Sequence, residues 1–414
     1  MSVTGAAGEG ADMSMILTAD RVITGDGKTV IEEGAVVLEG GRIRAVGDAE
    51  ALCSQYEGEI VCLRGCSLMP GMIDLHTHIG YYYGMKMERR LEENRMLRAL
   101  WIGRRMEETL RAGVTTIRDM SSADGIGTTL REAAACGFLR TPRILTSLKG
   151  LCITGGHGWG MTGAVEEVDG TEEIRKAVRR NIRDGADWIK LLDSEAYRGE
   201  EFCQEELNAA VWEAHRFGRR VAAHAGYGPS IQMCIEAGCD SIEHGTHLTV
   251  EQAERMRDNG QVWVPTMYVF HYANEQVKEQ AVQKGLSENA AYLQDTVDTY
   301  RENFRKLYDT GVTVAVGTDT DACCHPEASP VYRECGCMVQ YGLKPLEAIA
   351  CATANGAKAL GMQDSIGLLA EGYMADIVAV EGNPAQEIGA LGRIAAVWQE
   401  GTKVYESESA HLCQ

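Results

Sequence analysis

From about residue 98 onward the chain alternates between amphipathic helical patterns and short β-branched runs, the rhythm of repeated strand and helix units that builds a parallel sheet. Helical patterns cover 91–112, 171–185, 204–217, 229–238, 250–259 and 287–310. Strand patterns cover Met72–His78, Thr115–Arg118, Arg143–Ser147, Trp188–Leu192, Arg220–Ala225, Ser241–His244, Val262–Pro265 and Gly311–Thr318, eight in all. Glycines at 113, 185, 218, 238, 260 and 311 mark the helix-to-strand turns, where a left-handed residue can end a helix. The economical fold is α/β, a (β/α)8 TIM barrel.

The N-terminal part reads differently. Residues 15–63 alternate in hydropathy, with turns at Gly25-Asp26-Gly27 and Gly40-Gly41 that suit hairpins of a small antiparallel sheet, and a similar pattern returns at Ala375–Val380 and Ile394–Val404. With 414 residues, 45% of them apolar, the chain can bury a large core in more than one domain. Residues 1–12 are small and acidic, without a basic start or an apolar stretch of signal-peptide length, and no run is long enough to span a bilayer; the expectation is a cytoplasmic protein that does not engage the membrane. Fourteen scattered cysteines without CxxC spacing read as reduced, mostly buried thiols. A formal charge of −20 argues against nucleic acid or an anionic membrane as partner, since both are polyanions. A small-molecule substrate remains, and nothing in the pattern decides between a monomer and a homo-oligomer.

Several strands end in residues that can hold a divalent cation, which would gather them at one end of a barrel. In His76-Thr77-His78, residues two apart on a strand share a face, so both imidazoles reach one point. Lys190 sits between Ile189 and Leu191, where a buried ammonium is costly; a neutral amine there can add carbon dioxide to give a carbamate. His224 follows Val221-Ala222-Ala223 and His244 follows Ile242-Glu243, each at a strand end before a turn. One such histidine is more often a satisfied core residue; two in successive units after HxH read as ligands. In the last strand Val312, Val314 and Val316 alternate with Thr313, Ala315 and Gly317, which places Asp319 on the inward face with the small residues.

These residues resemble the amidohydrolase superfamily. Met69-Pro70-Gly71-Met72-Ile73-Asp74-Leu75-His76-Thr77-His78, Ala186-Asp187-Trp188-Ile189-Lys190, Ser241-Ile242-Glu243-His244-Gly245 and Gly317-Thr318-Asp319 match its barrel signatures, as do Ala352–Ala357 and Gly372–Val378 in the tail. The resemblance implies a flexible tail at 1–12, a β-sandwich domain assembled from 13–68 and 366–408, and a barrel over 69–365. It implies two divalent cations, with zinc the usual metal: one held by His76, His78 and Asp319, the other by His224 and His244, with Lys190 bridging as N6-carboxylysine. The chemistry implied is amide hydrolysis by a metal-bridging hydroxide, with Asp319 as general acid and base.

More narrowly, Thr154-Gly155-Gly156-His157-Gly158 looks like the prolidase-like branch, which includes Xaa-Arg (Lys) carboxypeptidases and N-acyl amino acid hydrolases, and which removes a C-terminal amino acid from dipeptides and N-acyl amino acids. That likeness makes His157 and Tyr227 candidates to contact substrate or its oxyanion, although Tyr227 stands one place later than the tyrosine of relatives, and Leu191–Tyr197 replaces their glycine pair. His247, His271 and His325 fall on loops past strands six to eight, His215 and His411 on the surface, and Tyr81-Tyr82-Tyr83 near the mouth. The alternative is a cyclic-amide hydrolase or one-metal deaminase resembling imidazolonepropionase, in which Lys190 has no bridging duty.

Overall fold

The computed structural model describes residues 14–80, 91, 93–161, 163–194, 199–284, 287–319 and 327–408, with backbone alone at 277–284 and 287–290. The tail at 1–12, Tyr81–Tyr83, the segment 195–197 after Lys190, His325 and His411 lie outside these residues.

Both chain ends build one seven-stranded mixed sheet. Strands β1 (Ser14–Ile23), β2 (Val30–Glu39), β3 (Arg42–Asp48) and β4 (Gly58–Pro70) come from the first quarter of the chain; β4 pairs antiparallel with a strand at Ile377–Glu381, followed by strands at Ile394–Gln399 and Thr402–Glu406. Arg42 bridges to Met374 and Ile43 N donates to Tyr373 O, which brings the β3 edge back over the C-terminal strands and gives the two layers of a sandwich. Leu17, Val36, Leu38, Leu68, Ile377 and Trp398 fill the space between.

The barrel follows with β5 (Met72–Thr77), β6 (Val114–Asp119), β7 (Arg143–Thr146), β8 (Gly150–Cys152), β9 (Val165–Glu167), β10 (Trp188–Ser194), β11 (Arg220–Ala225), β12 (Ser241–His244), β13 (Val262–Val264) and β14 (Thr313–Val314), all paired in parallel. The expected third strand is β7, and a second piece, β8, follows it after Leu148, which takes a left-handed φ of 57°. Asp187 N donates to Thr146 O at 2.8 Å and Leu151 pairs with Leu191, so both pieces lie beside β10. The seam between last and first strands is closed by Leu75 N to Val316 O at 2.9 Å and Asp319 N to His76 O at 2.7 Å. The eighth strand ladders only at Thr313–Val314 rather than across Gly311–Thr318, since the amides of Val316 and Thr318 turn to Cys351 O and Asp74 Oδ1.

Side-chain alternation sets what faces inward. Ile189 and Leu191 of β10, and Val221 and Ala223 of β11, pack into the large core shared with Ala177, Val178 and Leu207 of the surrounding helices. Lys190 and His224, one residue out of phase, therefore point toward the barrel axis. Helices at Ile126–Ala135, Met267–Lys284, Val331–Gln340, Pro345–Ala352 and Ala354–Leu360 complete the outer layer and were not among the helical patterns of the sequence.

Candidate metal centre

The six predicted donors converge at the C-terminal ends of the barrel strands. One ligand atom each from His76, His78 and Asp319 fall within 4.8 Å of one another. Asp319 Oδ1 is 3.2 Å from His78 Nε2 and 3.7 Å from His76 Nε2, and Oδ2 is 4.0 Å from His244 Nδ1. Lys190 Nζ lies 3.4 Å from His76 Nε2. The His244 ring sits 5.0 Å from that of His76 and 4.4 Å from that of His224. His157 is drawn in as well: its ring stacks on His224 at 4.0 Å with an interplanar angle of 21°.

Three of the six donors are aimed by partners that the sequence pattern did not single out. His76 Nδ1 meets Glu243 Oε2 at 2.7 Å, His78 Nδ1 meets Ser121 O at 3.2 Å, and His244 Nδ1 meets Thr266 Oγ1 at 2.7 Å. Occupying Nδ1 leaves Nε2 as the free donor in all three rings. Glu243 is anchored in turn by Arg118 Nη2 at 2.7 Å and by the Ser241 hydroxyl at 2.5 Å, while the fully buried Arg118 lies over the Trp188 ring at 4.4 Å and donates to Leu75 O. Below, Asp74 accepts from Thr318 N, the Thr318 hydroxyl and the Ser329 hydroxyl, fixing strand one to strand eight.

The backbone is bent to present these groups. Ser121 (φ 107°), His244 (φ 64°), Thr266 (φ 49°) and Asp319 (φ 48°) are all left-handed residues other than glycine, each costing about 1–3 kcal/mol and clustered at the strand ends. Gly317 is required where it stands: a Cβ there would lie 2.5 Å from Val264 Cγ1 and 2.6 Å from His76 Cβ.

The charges suit a cation. Burial drives His224 and His244 well below the ordinary histidine range, and burial with Lys190 brings His76 down to about 4, so these three imidazoles keep their lone pairs at neutral pH. Burial lowers Lys190 to about 8, against the pull of Glu243 and Asp319. Burial would raise Asp319, but His76, His78 and His244 outweigh it and hold the carboxyl well below the usual range; His78 is raised because Asp319 overrides its own burial. Asp319 Oδ1 is buried with no hydrogen bond among the described residues. A buried carboxylate oxygen 3.2 Å from His78 Nε2, with three neutral imidazoles and a readily deprotonated lysine beside it, is a donor set of nitrogen and oxygen that fits zinc, manganese or cobalt.

The remaining predicted residues are less central. Tyr227 caps the helix Gly228–Ala237, its amide 3.4 Å from Ser194 Oγ, and His247 N bonds Gly226 O at 3.1 Å, both on turns past the strand ends. His271 pairs with the Tyr341 hydroxyl, and His215 bonds Asp240 at 2.8 Å on the outer face. Among the described residues no helix is long and apolar enough to cross a membrane.

Comparison with known proteins agrees with this geometry. The profile of the amidohydrolase family matches residues 67–404, and that of a bacterial imidazolonepropionase-like composite domain matches 34–56. Ochratoxinase of Aspergillus niger is 31% identical over 430 aligned residues, covering 93% of this chain and 85% of its own; imidazolonepropionase of Geobacillus sp. (strain WCH70) is 25% identical over 399, covering 84% of each. A Xaa-Pro dipeptidase crystallised with methionine in its active site superposes with a TM-score of 0.84 at 29% identity over 95% of this chain and all of that one. The ochratoxinase crystal structure gives the same TM-score and identity over 97% of this chain and 99% of its own.

Proposed function

The chain belongs to the amidohydrolase family, a hydrolase of amide carbon–nitrogen bonds within its prolidase-like branch, and on that premise we propose that it removes the C-terminal amino acid from a dipeptide or an N-acyl amino acid. The observation that carries the reading is Lys190: its Nζ is buried 3.4 Å from His76 Nε2 and lowered to about 8, so a useful fraction is neutral near pH 7 and free to attack carbon dioxide. The new N–C bond forms as the amine proton leaves, and the resulting N6-carboxylysine offers two oxygens where an ammonium would repel cations.

His76, His78 and Asp319 would hold one divalent ion and His224 with His244 the other, with carboxylated Lys190 between them; zinc is the expected metal. Bound there, such ions supply an activated water and polarise the scissile carbonyl. The protein's own groups do the rest. Asp319 would take the proton released on attack and pass it on to the far more basic leaving amine. His157, stacked on His224, and Tyr227, at the turn that follows β11, are assigned to the carbonyl oxygen or its developing charge. Buried walls around the donors limit bulk water and strengthen each of these interactions.

A cyclic-amide hydrolase or one-metal deaminase is the competing reading, favoured by the imidazolonepropionase likeness. Metal-loaded protein should be offered N-acyl amino acids, dipeptides, hydantoins and lactams, with amine release read by ninhydrin and metal counted per chain. Amine release from open amides with two metals supports the proposal; turnover of cyclic amides alone, or full activity of Lys190→Ala or Asp319→Asn, rejects it.

A further inference from the structure

His244 is held more elaborately than the other donors. Its carbonyl accepts from Trp263 Nε1 at 2.8 Å and lies 2.9 Å from the Tyr300 hydroxyl, which is also 2.8 Å from Pro265 O. Its ring Nδ1 meets the Thr266 hydroxyl. Thr266 is a β-branched residue at φ 49°, fully buried, and such a conformation persists only where the surroundings over-determine it.

The surroundings are supplied by Glu334, from the helix Val331–Gln340. Its side chain is fully buried, and its two oxygens accept the two amides that follow Thr266: Met267 N at 2.9 Å and Tyr268 N at 2.6 Å. These are the opening N–H groups of the helix Met267–Lys284, which have no partner inside that helix. A carboxyl with both oxygens on one turn is a two-point clamp, and the turn it clamps carries Thr266. Its neighbours on its own helix, Val331, Cys335 and Met338, are apolar, so the two amides after Thr266 are what this acid serves.

We propose that Glu334 is a positioning residue of the metal centre: it fixes the Thr266 turn, so that the Thr266 hydroxyl occupies His244 Nδ1 and leaves Nε2 as the donor. This rests on the reading of His244 as a metal ligand. Neighbours that orient ligating histidines contribute roughly 10–100-fold in metal affinity. In Glu334→Gln the amide nitrogen cannot accept an N–H, so one of the two grips is lost; in Thr266→Val the shape is kept and the hydroxyl removed.

The test is a chelator titration of the metal-loaded full chain, with metal retained read by elemental analysis, on Thr266→Val, Thr266→Ser, Glu334→Gln, the Thr266→Val/Glu334→Gln double variant and His244→Ala. Melting of each metal-free protein is recorded in parallel. We expect Thr266→Val and Glu334→Gln each to release metal at roughly 10–100-fold lower chelator, Thr266→Ser to restore the parent value, and the double variant to match Thr266→Val alone, because both act through one hydroxyl. Melting shifts, by contrast, should add. Parental metal retention in either single variant, or additive losses of retention in the double, overturns the proposal. Parental retention in His244→Ala overturns the ligand assignment instead. If Glu334→Gln does not fold, Glu334→Asp, one methylene short of the turn, takes its place in the cycle.

Discussion

Glu243 joins His76 to Arg118 inside the barrel, with one oxygen 2.7 Å from His76 Nδ1 and the other 2.7 Å from Arg118 Nη2, all three side chains at or near zero exposure. The carboxylate both neutralises a guanidinium lying over Trp188 and fixes the histidine tautomer. In Glu243→Gln the hydrogen bond to His76 can persist while Arg118 is left as an uncompensated buried charge, which costs on the order of 3–5 kcal/mol. We expect a markedly lower melting temperature and metal binding weakened by roughly 10–100-fold. Adding Arg118→Met should recover much of the stability and none of the metal affinity. Thermal melts and metal analysis of the single and double variants check both halves.

If Lys190 bridges as the proposed carbamate, metal loading should depend on pH and on carbon dioxide. Burial lowers its pKa from the ordinary 10.5 to about 8, so the neutral amine grows as pH rises toward and past 8. Reconstitution of metal-free protein with zinc should be faster at pH 8 than at pH 6.5 and faster with bicarbonate than in carbon-dioxide-free buffer. Lys190→Ala should show neither dependence, hold less metal and lack turnover. Equal loading rates with and without bicarbonate would count against the carbamate.

How much of this was readable beforehand follows from side-chain parity. His76, His78, Lys190, His224 and Asp319 stand out because polar groups at inward positions of apolar strands need a reason. Parity fails at His244: Ser241 and Glu243 share the inward face, so His244 should point away, and only its left-handed φ of 64° turns it into the centre. The motif makes His244 recognisable, but the same turn hides the duty of Glu243. Thr266 and Ser121 act through a hydroxyl and a carbonyl on bent strand ends, features without a periodic signal. The additional short strand β8 beyond Leu148, where the backbone turns left-handed, likewise carries no periodic signal. The sandwich pairing of β4 with Ile377–Glu381 joins residues some three hundred positions apart and is invisible to local pattern.

His157 should affect turnover without affecting metal. Its ring stacks on His224 at 4.0 Å, and its backbone N–H is held by Glu201 Oε2 at 2.7 Å, which places it beside the donors and ready to contact substrate. His157→Ala is expected to retain parental metal content while kcat falls about 10²–10³-fold, the usual cost of removing one group that stabilises developing charge. A loss confined to KM would move His157 to ground-state binding. Loss of metal would make it a structural support of His224.

Gly317 offers a steric test of the centre. A methyl at this position would press on Val264 Cγ1 at 2.5 Å and on His76 Cβ at 2.6 Å, and neither β5 nor β13 can withdraw without breaking ladder bonds. Gly317→Ala should cost about 1–3 kcal/mol in stability and displace His76. Val264→Ala in the same chain removes one of the two clashes, so the double variant should regain part of the stability while metal retention stays reduced. Full recovery of metal binding in the double variant would show that His76 is not the residue being pushed.

The metal-free protein should also carry a pH signature from Glu334. Burial raises this carboxyl from 4.5 to about 8, against the two amide bonds that favour its charged form. The folded chain therefore holds the proton more tightly than the unfolded chain, so the contribution to stability is fully present below about pH 4.5 and is lost as pH climbs to 8. Within that window the slope is bounded at about 1.4 kcal/mol per pH unit. The wild-type chain and Glu334→Gln, whose amide does not titrate, should be unfolded by denaturant at several pH values between 5.5 and 8.5. Whatever constant offset the amide brings, the stability of wild type minus that of Glu334→Gln should fall as pH rises and level off above 8. A gap that stays constant would mean that Glu334 is already ionised throughout, held by the amides of Met267 and Tyr268 strongly enough to cancel its burial.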